Sequence, residues 1–346
     1  MPIPAAPVTT TWEDVSVRTD AEGTHMSDAP PAPFPREQGR DGSFERQASR
    51  FRDWVRADPD APFPAAAGRY HLYVSLACPW AHRTVIYRRL KGLEGVVSMT
   101  IVDPERDDRG WAITGGPGTT PDPVNGFSFL REAYLACDPG FADRVTVPVL
   151  WDTVTGRIVN NESSEIIRMF DREFTSFADR SAPVFCPTEL ERKIDEINAA
   201  VYAHVNNGVY RAGFAITQEA YERAFRDLFA ALDLLDLRLS TIRYLLGDQI
   251  TEADWRLFTT LVRFDPVYVG HFKCNLRRIV DYPHLSGYLR DLYQYPGVAG
   301  TVNFDHIKRH YYRTHPSINP TRIVPVGPHM DLSAPPGRES LSGAAE

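Results

Sequence analysis

The chain has 346 residues, 43% of them hydrophobic and 24% charged, which is ordinary for a globular enzyme and long enough for two domains with sizeable cores. A net charge of −7 argues against a nucleic-acid-binding protein, which would carry a basic face. No apolar stretch approaches the length needed to span a bilayer, so no membrane partner is expected.

The first segment, residues 1 to 65, is rich in Pro, Ala, Asp and Arg. Its run Ala29-Pro30-Pro31-Ala32-Pro33-Phe34-Pro35 predicts an extended segment that lies on the surface or wraps a neighbour, with Phe44, Phe51 and Trp54 as anchors. The N-terminus lacks the patterns of signal and transit peptides. The four cysteines of the chain are scattered, which favours a reducing compartment, and the cytoplasm is expected.

A cysteine follows directly on the first predicted strand, which covers residues 71–76. A helix is predicted from Pro79 to about Leu90, because proline is favoured at the first helical position. Cys78 is then the N-cap residue. At that position the free backbone N–H groups and the helix dipole favour the thiolate, which is the nucleophilic form. A buried structural cysteine is the alternative, since free cysteine is among the most buried residue types.

The following elements predict a thioredoxin-like domain over residues 66–180. A second strand over 96–102 completes a βαβ unit with parallel pairing. The segments 147–151 and 157–160 flank a five-residue loop that ends in Gly156, which indicates a hairpin. Pro148 at its start can be cis and would face the cysteine. The glycine run 115–118 follows no strand and lacks GxGxxG spacing, so it is predicted to be a loop, and one helical patch covers 129–134.

The residue three positions after Cys78 distinguishes between dithiol and monothiol chemistry. A dithiol oxidoreductase would have a second cysteine there, but this chain has Ala81. A lone nucleophilic cysteine forms a mixed disulfide with an external thiol, and a second external thiol must resolve it. Glutathione fits both roles.

After Pro187 the chain becomes helical. Capping-box patterns at 188–191 and 251–254 precede runs of apolar residues at helical spacing, and a further such run extends from Tyr221 to Leu239. The prediction is an all-helical domain over 188–315, followed by an extended Pro- and Gly-rich tail over 316–346. The fold class is therefore an α/β thioredoxin-like domain joined to an all-α helical bundle.

This arrangement resembles the glutathione transferases, and within them the glutathionyl-hydroquinone reductases of the Xi class. Six segments carry the resemblance and occur in the family's order: Leu76 to Arg83, Gly110-Trp111, Arg144 to Asp152, Asn161 to Ile166, Tyr210 to Ala215, and His310 to Tyr312 with Ile318 to Thr321. The resemblance implies that Cys78 attacks the sulfur of a glutathionyl-hydroquinone and that a second glutathione frees it as oxidised glutathione. It implies glutathione as co-substrate, no bound cofactor, and a homodimer.

The resemblance also assigns residues to the substrates. Trp111, Arg144, Val147, Glu162 and Ser163 would hold glutathione. Tyr210 and Tyr311 would face the hydroquinone ring. Their physical roles would be a lid (Trp111), a cation for a carboxylate (Arg144), a strand-like backbone contact (Val147) and a helix N-terminus that binds the γ-glutamyl group (Glu162 and Ser163).

Each assignment has a structural alternative. These are a surface arginine for Arg144, a buried strand residue for Val147, a helix cap for Glu162 and Ser163, and core packing for the tyrosines. Trp111 is predicted to lie in a polar, Gly-rich loop, where a lid over a ligand is favoured and a core residue is the alternative.

Other residues and functions provide alternatives to this interpretation. His82 shares a helix face with Cys78, but two ligands are too few for a metal, so it is expected to pack or to tune the thiol. The basic cluster 308–313 is expected to be a solvated face or the rim of a site. Two alternative functions use the same fold: an omega-like transferase that reduces dehydroascorbate or mixed disulfides, and a non-catalytic binding module.

Overall fold

The computed structural model describes residues 37–341, so the proline-rich run at 29–35 lies outside the described residues. The strands are β1 (Tyr70–Val74), β2 (Ser98–Ile101), β3 (Arg106–Asp107), β4 (Gly110–Trp111), β5 (Val149–Asp152) and β6 (Arg157–Asn160). The helices are α1 (Pro79–Leu90), α2 (Arg131–Cys137), α3 (Ser163–Arg172), α4 (Glu191–Val201), α5 (Gly208–Gly213), α6 (Gln218–Arg238), α7 (Glu252–Arg263), α8 (Leu285–Tyr293) and α9 (Phe304–Thr314).

The first half of the molecule is built on a four-stranded sheet with the order β2-β1-β5-β6. Strand β1 pairs in parallel with β2 and antiparallel with β5, and β5 forms the hairpin with β6. All five residues of β1 are buried, as expected for a central strand covered on both faces. The thioredoxin-like prediction is confirmed, and the peptide bond before Pro148 is cis.

Helix α1 joins the two halves of the molecule. It packs against α3 on one side and against α7 of the helical half on the other, and Pro79 and every residue from Ala81 to Tyr87 are buried. A helix that is buried around most of its circumference needs no polar face. Its bounds agree with the prediction, because the proline at its start and the cysteine cap are strong local signals.

Two details of the first half depart from the sequence-based expectation. The loop after β2 contains the short antiparallel pair β3–β4, which was not predicted because each strand has only two residues. Gly110, with φ at +104°, supplies the backbone conformation that this tight turn requires. The glycine run 115–118 lies in a loop, as predicted, and the helical patch 129–134 corresponds to α2.

The helical half follows the predicted runs only in part. The capping box predicted at Thr188 is wrong: Thr188–Leu190 is a 3-10 turn that begins after Pro187, and α4 starts at Glu191 without a side-chain cap. The capping box at Thr251 is confirmed, since the side chains of Thr251 and Asp254 both take part. Helices α8 and α9 were not predicted.

Both ends of the described chain are extended and packed on the body of the protein. Phe44 is buried, and Phe51 and Trp54 pack against the core as the predicted anchors. At the other end, the buried Arg338 donates hydrogen bonds of 2.6 to 2.9 Å to the carbonyls of three residues after α6, namely Leu239, Ile242 and Arg243. The described part of the tail therefore packs against the helical half.

Candidate active site

All eight residues that the sequence analysis assigns to substrates line one cavity of about 360 Å³. The sheet half and the helical half both contribute to it, and so does the segment that precedes β1. The eight residues are Cys78, Trp111, Arg144, Val147, Glu162, Ser163, Tyr210 and Tyr311.

Cys78 is the N-cap residue of α1 and is half-buried. Its Sγ lies 3.7 Å from the carbonyl oxygen of Val147, directly before the cis peptide bond to Pro148. No side chain caps α1, so the first N–H groups of the helix remain for a negative charge at this end. The sulfur and the strand-like backbone at Val147 therefore face each other across the cavity.

A buried arginine of the helical half forms hydrogen bonds with the turn that precedes Cys78. Arg263 donates to the carbonyl oxygens of Leu76 (2.9 Å), Ala77 (2.8 Å) and Thr259 (2.8 Å). A nitrogen of the same guanidinium lies 3.0 Å from Nδ1 of His82. Because Arg263 is fully buried, these contacts fix the position of the cysteine relative to α7.

Glu162 and Ser163 lie where α3 begins, as predicted. Glu162 is the N-cap residue, and its Oε1 accepts from the backbone N–H of Ser164 at 3.1 Å while its Oε2 accepts from Ser49 at 2.9 Å. Burial raises the pKa of Glu162, but the hydrogen bonds from Ser164 and Ser49 outweigh it and hold the pKa below its ordinary value. The cap and the binding role are therefore compatible, since the carboxylate is charged and lines the cavity.

Arg144 is not the surface arginine of the structural alternative. Its side chain is 21% exposed and pairs with the carboxylate of Glu37 at 2.9 Å. Burial lowers the pKa of Arg144, and Glu37 opposes that effect. A ligand carboxylate at this place would meet a guanidinium already held in position.

Trp111 departs from the predicted setting in a polar loop. It belongs to β4, is 5% exposed, and stacks on His310 with ring centroids 5.0 Å apart. Nδ1 of His310 is in turn 2.7 Å from the carbonyl oxygen of Pro104. The indole is thus a packed wall of the cavity, and its Nε1 has no hydrogen-bond partner within residues 37–341.

The far end of the cavity is aromatic. The hydroxyl oxygens of Tyr210 (α5) and Tyr311 (α9) are 2.5 Å apart, and that of Tyr268 is 3.1 Å from Tyr311. Trp80 stacks on Tyr210 with centroids 6.2 Å apart. Burial raises the pKa of both Tyr210 and Tyr311, so both phenols keep their protons at neutral pH.

One wall of the cavity is formed by residues that no sequence pattern indicated. Five of its lining residues belong to residues 37–56, which we call the N-terminal strap: Arg46, Gln47, Ala48, Ser49 and Arg52. The strap is attached through Ser49 to Glu162 and through the N–H of Phe51 to Oδ1 of Asn161 at 3.1 Å. The aromatic anchors predicted that this segment packs against the protein, but their spacing did not indicate which residues it contacts.

The remaining candidates lie around the cavity. His82 is fully buried, with Nε2 2.8 Å from Oγ1 of Thr301, so it packs instead of reaching the thiol; burial holds its pKa well below the ordinary value. The cluster 308–313 lies on α9, where His310 and Tyr311 line the cavity and Arg309 pairs with Glu105, so it forms a rim of the site. Among residues 37–341, no group of three His, Cys, Asp or Glu side chains has a metal-binding arrangement.

No helix in the described part of the chain is long and apolar enough to cross a membrane. The profile of the glutathione S-transferase N-terminal domain matches residues 77–173, and that of the C-terminal domain matches residues 218–291. The chain is 53% identical over 310 residues to the glutathionyl-hydroquinone reductase YqjG of Escherichia coli, covering 87% of this chain and 94% of that protein.

Solved structures of glutathione transferases are also similar to this chain. The glutathione-bound structure of YqjG, described as a glutathione transferase homolog from Escherichia coli K-12, superposes with a TM-score of 0.81 at 53% identity, covering 84% of this chain and 96% of that chain. A Xi class glutathione transferase from Natrialba magadii superposes with a TM-score of 0.83 at 52% identity, covering 88% and 96%.

Proposed function

The chain belongs to the Xi-class glutathione transferases, the family of the glutathionyl-hydroquinone reductases, and we propose that it reduces glutathionyl-hydroquinones to hydroquinones with glutathione. The observation that carries the proposal is the cavity that joins Cys78 to a polar end at the start of α3 and to an aromatic end with two paired tyrosine hydroxyls. A substrate with a peptide half and a ring half matches both ends.

Glutathione is assigned to the polar end. The N-terminal N–H groups of α3, with the hydroxyl of Ser163, suit the γ-glutamyl carboxylate, and the charged Glu162 suits its ammonium group. The backbone of Val147 suits the cysteinyl part in the manner of an added strand. Arg144 suits a second carboxylate, and Trp111 covers the ligand. Bound in this way, the sulfur of glutathione lies toward Cys78.

The reaction has two steps with Cys78 as nucleophile. In the first, the thiolate attacks the glutathione sulfur of the conjugate, a S–S bond forms, and the bond between sulfur and ring carbon breaks. The ring carbon takes a proton before this bond breaks, for which the phenol groups of Tyr210 and Tyr311 are the donors at hand, so the hydroquinone leaves with a C–H bond. In the second, a glutathione thiolate attacks the mixed disulfide and leaves as oxidised glutathione. Per turnover, one conjugate and one glutathione give one hydroquinone and one oxidised glutathione.

The monothiol character of the site supports this sequence. All four cysteines are free. Burial raises the pKa of Cys186 to about 11 and also raises the pKa of Cys274 and Cys137, so none of these is a ready thiolate at neutral pH. Resolution of the mixed disulfide then falls to a second glutathione.

The test is hydroquinone release by the wild type and by Cys78→Ser, with mass spectrometry of the protein after treatment with the conjugate. We expect one glutathione on Cys78 in the wild type and loss of reduction in Cys78→Ser, which retains at most a weak conjugating activity because a serine hydroxyl can still donate to a glutathione thiolate. Cys186→Ser is the matched control and should keep its activity. Substantial reduction by Cys78→Ser contradicts the proposal.

The omega-like alternative uses the same cysteine on a different substrate. The aromatic end of the cavity supports a substrate with an aromatic ring over dehydroascorbate, whose lactone ring is polar and not aromatic. A wild type that reduces dehydroascorbate faster than any glutathionyl-hydroquinone would favour the omega-like function, and a protein that shows neither activity would favour the non-catalytic module.

Assembly, compartment and domain limits are part of the same proposal. We assign a homodimer, which light scattering tests: twice the chain mass of 39.0 kDa supports it and the single chain mass rejects it. The free cysteines fit a cytoplasmic protein, which cell fractionation tests. We assign glutathione to a domain of residues 66–180 and the ring to a domain of residues 188–315.

A further inference from the structure

Arg46 of the N-terminal strap lies at the junction between the two ends of the cavity. Its guanidinium carbon is 4.6 Å from the ring centre of Tyr210 and 4.8 Å from that of Trp80, and its Nε donates to Oδ1 of Asn207 at 2.8 Å. The side chain is therefore held against two rings that belong to different halves of the molecule and stack on each other.

The guanidinium has donor capacity that the protein does not use. Its Nη2 is buried and has no hydrogen-bond partner within residues 37–341, and no carboxylate of that region forms an ion pair with it. A buried donor without a partner is costly, and a cation without a counter-ion more so. Such an atom in the wall of a cavity indicates that an anionic or strongly polar ligand atom is its partner.

We propose that Arg46 is a catalytic residue of the reductase, whose Nη2 binds the ring oxygen next to the glutathionyl-bearing carbon and stabilises the negative charge that forms there. The inference rests on the proposed function, which it deepens by assigning a residue to the leaving group. It also gives the N-terminal strap a chemical role, since the strap supplies this charge.

The chemistry of the first step requires such a charge. Before the attack, the ring carbon that carries sulfur takes a proton from a tyrosine hydroxyl, and the hydroxyl on the neighbouring ring carbon returns its proton to that tyrosine or gives it to water, so the neighbouring oxygen is a carbonyl. Attack of Cys78 on sulfur breaks the C–S bond, and the bonding pair restores the aromatic ring and leaves the oxygen as a phenolate. A fixed cation at that oxygen stabilises the transition state without reorganisation. The phenolate then takes a proton from water or from a tyrosine hydroxyl.

The positive charge of Arg46 acts on the neighbouring hydroxyl group of Tyr210. It opposes the effect of burial on the pKa of Tyr210, which burial raises overall. Glutathione is the other ligand that Arg46 could bind, through a carboxylate. The polar end already provides Arg144 and the start of α3 for those groups. Arg83 also lies over the ring of Trp80, at 4.6 Å, but among the described residues it is Arg46 that lines the cavity in contact with both Trp80 and Tyr210.

The experiment separates the two half-reactions of Cys78. Hydroquinone release from the conjugate is followed in a single turnover at saturating substrate, and release of oxidised glutathione is followed from enzyme first loaded with glutathione on Cys78. The variants are Arg46→Met and Arg46→Lys. The matched control is Arg50→Met, also in the strap, where the arginine is 53% exposed, pairs with Asp138 and faces the ring of Phe141.

We expect Arg46→Met to slow hydroquinone release about 100-fold, as loss of one donor to a developing oxyanion does, and to leave the second half-reaction unchanged. Arg46→Lys should lose less, because it keeps the charge but not the planar fork. The loss should grow for hydroquinones with more basic oxygens. Arg50→Met should resemble the wild type in both steps.

Three results would overturn the role of Arg46 alone. Equal losses in both half-reactions would show that the strap is only structural, and no loss in either would show that the charge is not used. A higher KM for glutathione in the second step, with normal hydroquinone release, would assign Arg46 to glutathione. If the wild type itself releases no hydroquinone, the proposed function fails before the variants are compared, and the role of Arg46 fails with it.

Discussion

Replacement of Arg263 by methionine should loosen the turn that carries Cys78 while leaving the cavity residues themselves untouched. The change removes the donor of two turn carbonyls, those of Leu76 and Ala77, and the contact to Nδ1 of His82. Each buried acceptor left without a donor costs about 1 to 3 kcal/mol, so the two turn carbonyls together account for about 4 kcal/mol. We expect the free energy of unfolding to fall by about 4 kcal/mol.

The assay is equilibrium unfolding in urea together with the rate at which iodoacetamide alkylates Cys78 in the folded protein. Arg192→Met is the matched control, because Arg192 is an exposed arginine paired only with Glu196 one helical turn away, and its loss should change stability by less than about 0.5 kcal/mol. Arg263→Lys should also be destabilised, since one ammonium cannot reach all of these acceptors. A loss below about 1 kcal/mol in Arg263→Met, with unchanged alkylation, would refute the view that Arg263 positions the cysteine.

Three further outcomes are expected. Arg144→Met should raise the KM for glutathione more than it lowers kcat in steady-state assays, because it removes uniform binding; the opposite split would contradict its role. Glutathione should quench tryptophan fluorescence in the wild type and quench it less in Trp111→Phe, and an equal quench in both would remove Trp111 from the ligand's cover. Burial lowers the pKa of His71 to about 4, so the unfolded chain binds the proton first and stability should fall by about 3 kcal/mol as pH drops from 6.5 to 4. Urea unfolding of His71→Gln across that range should show a smaller fall, and an identical one would exclude His71 as a cause.

Local signals explain the part of the site that the sequence could predict. Cys78, Pro79 and the strand before them specify a strand, a cap and a helix start within ten residues, and the hairpin around Gly156 is equally local. The order of these elements then predicts that Pro148, before the third strand, faces the cysteine, and the sulfur lies 3.7 Å from the carbonyl oxygen of Val147, directly before Pro148.

The part that sequence could not predict depends on contacts between distant segments. The strap has no helical or strand period, and its contact with Glu162 joins residues more than a hundred positions apart. The prediction that Trp111 lies in a polar loop was wrong for a related reason. Its stacking partner, His310, lies some two hundred positions later in the chain. Helix α9 carries polar and charged residues around much of its circumference. Its sequence therefore indicates a basic cluster and does not reveal the apolar stripe of the helix.

The cavity collects its walls from nearly the whole length of the polypeptide, from Arg46 to His315. During synthesis the N-terminal elements emerge and fold first. Cys78 is therefore synthesised long before Tyr311. Until Tyr311 has been added, the aromatic end of the cavity next to the thiol is incomplete. We therefore expect a chain stopped before residue 311 to hold Cys78 without the complete aromatic end of the cavity, and to be inactive toward glutathionyl-hydroquinones.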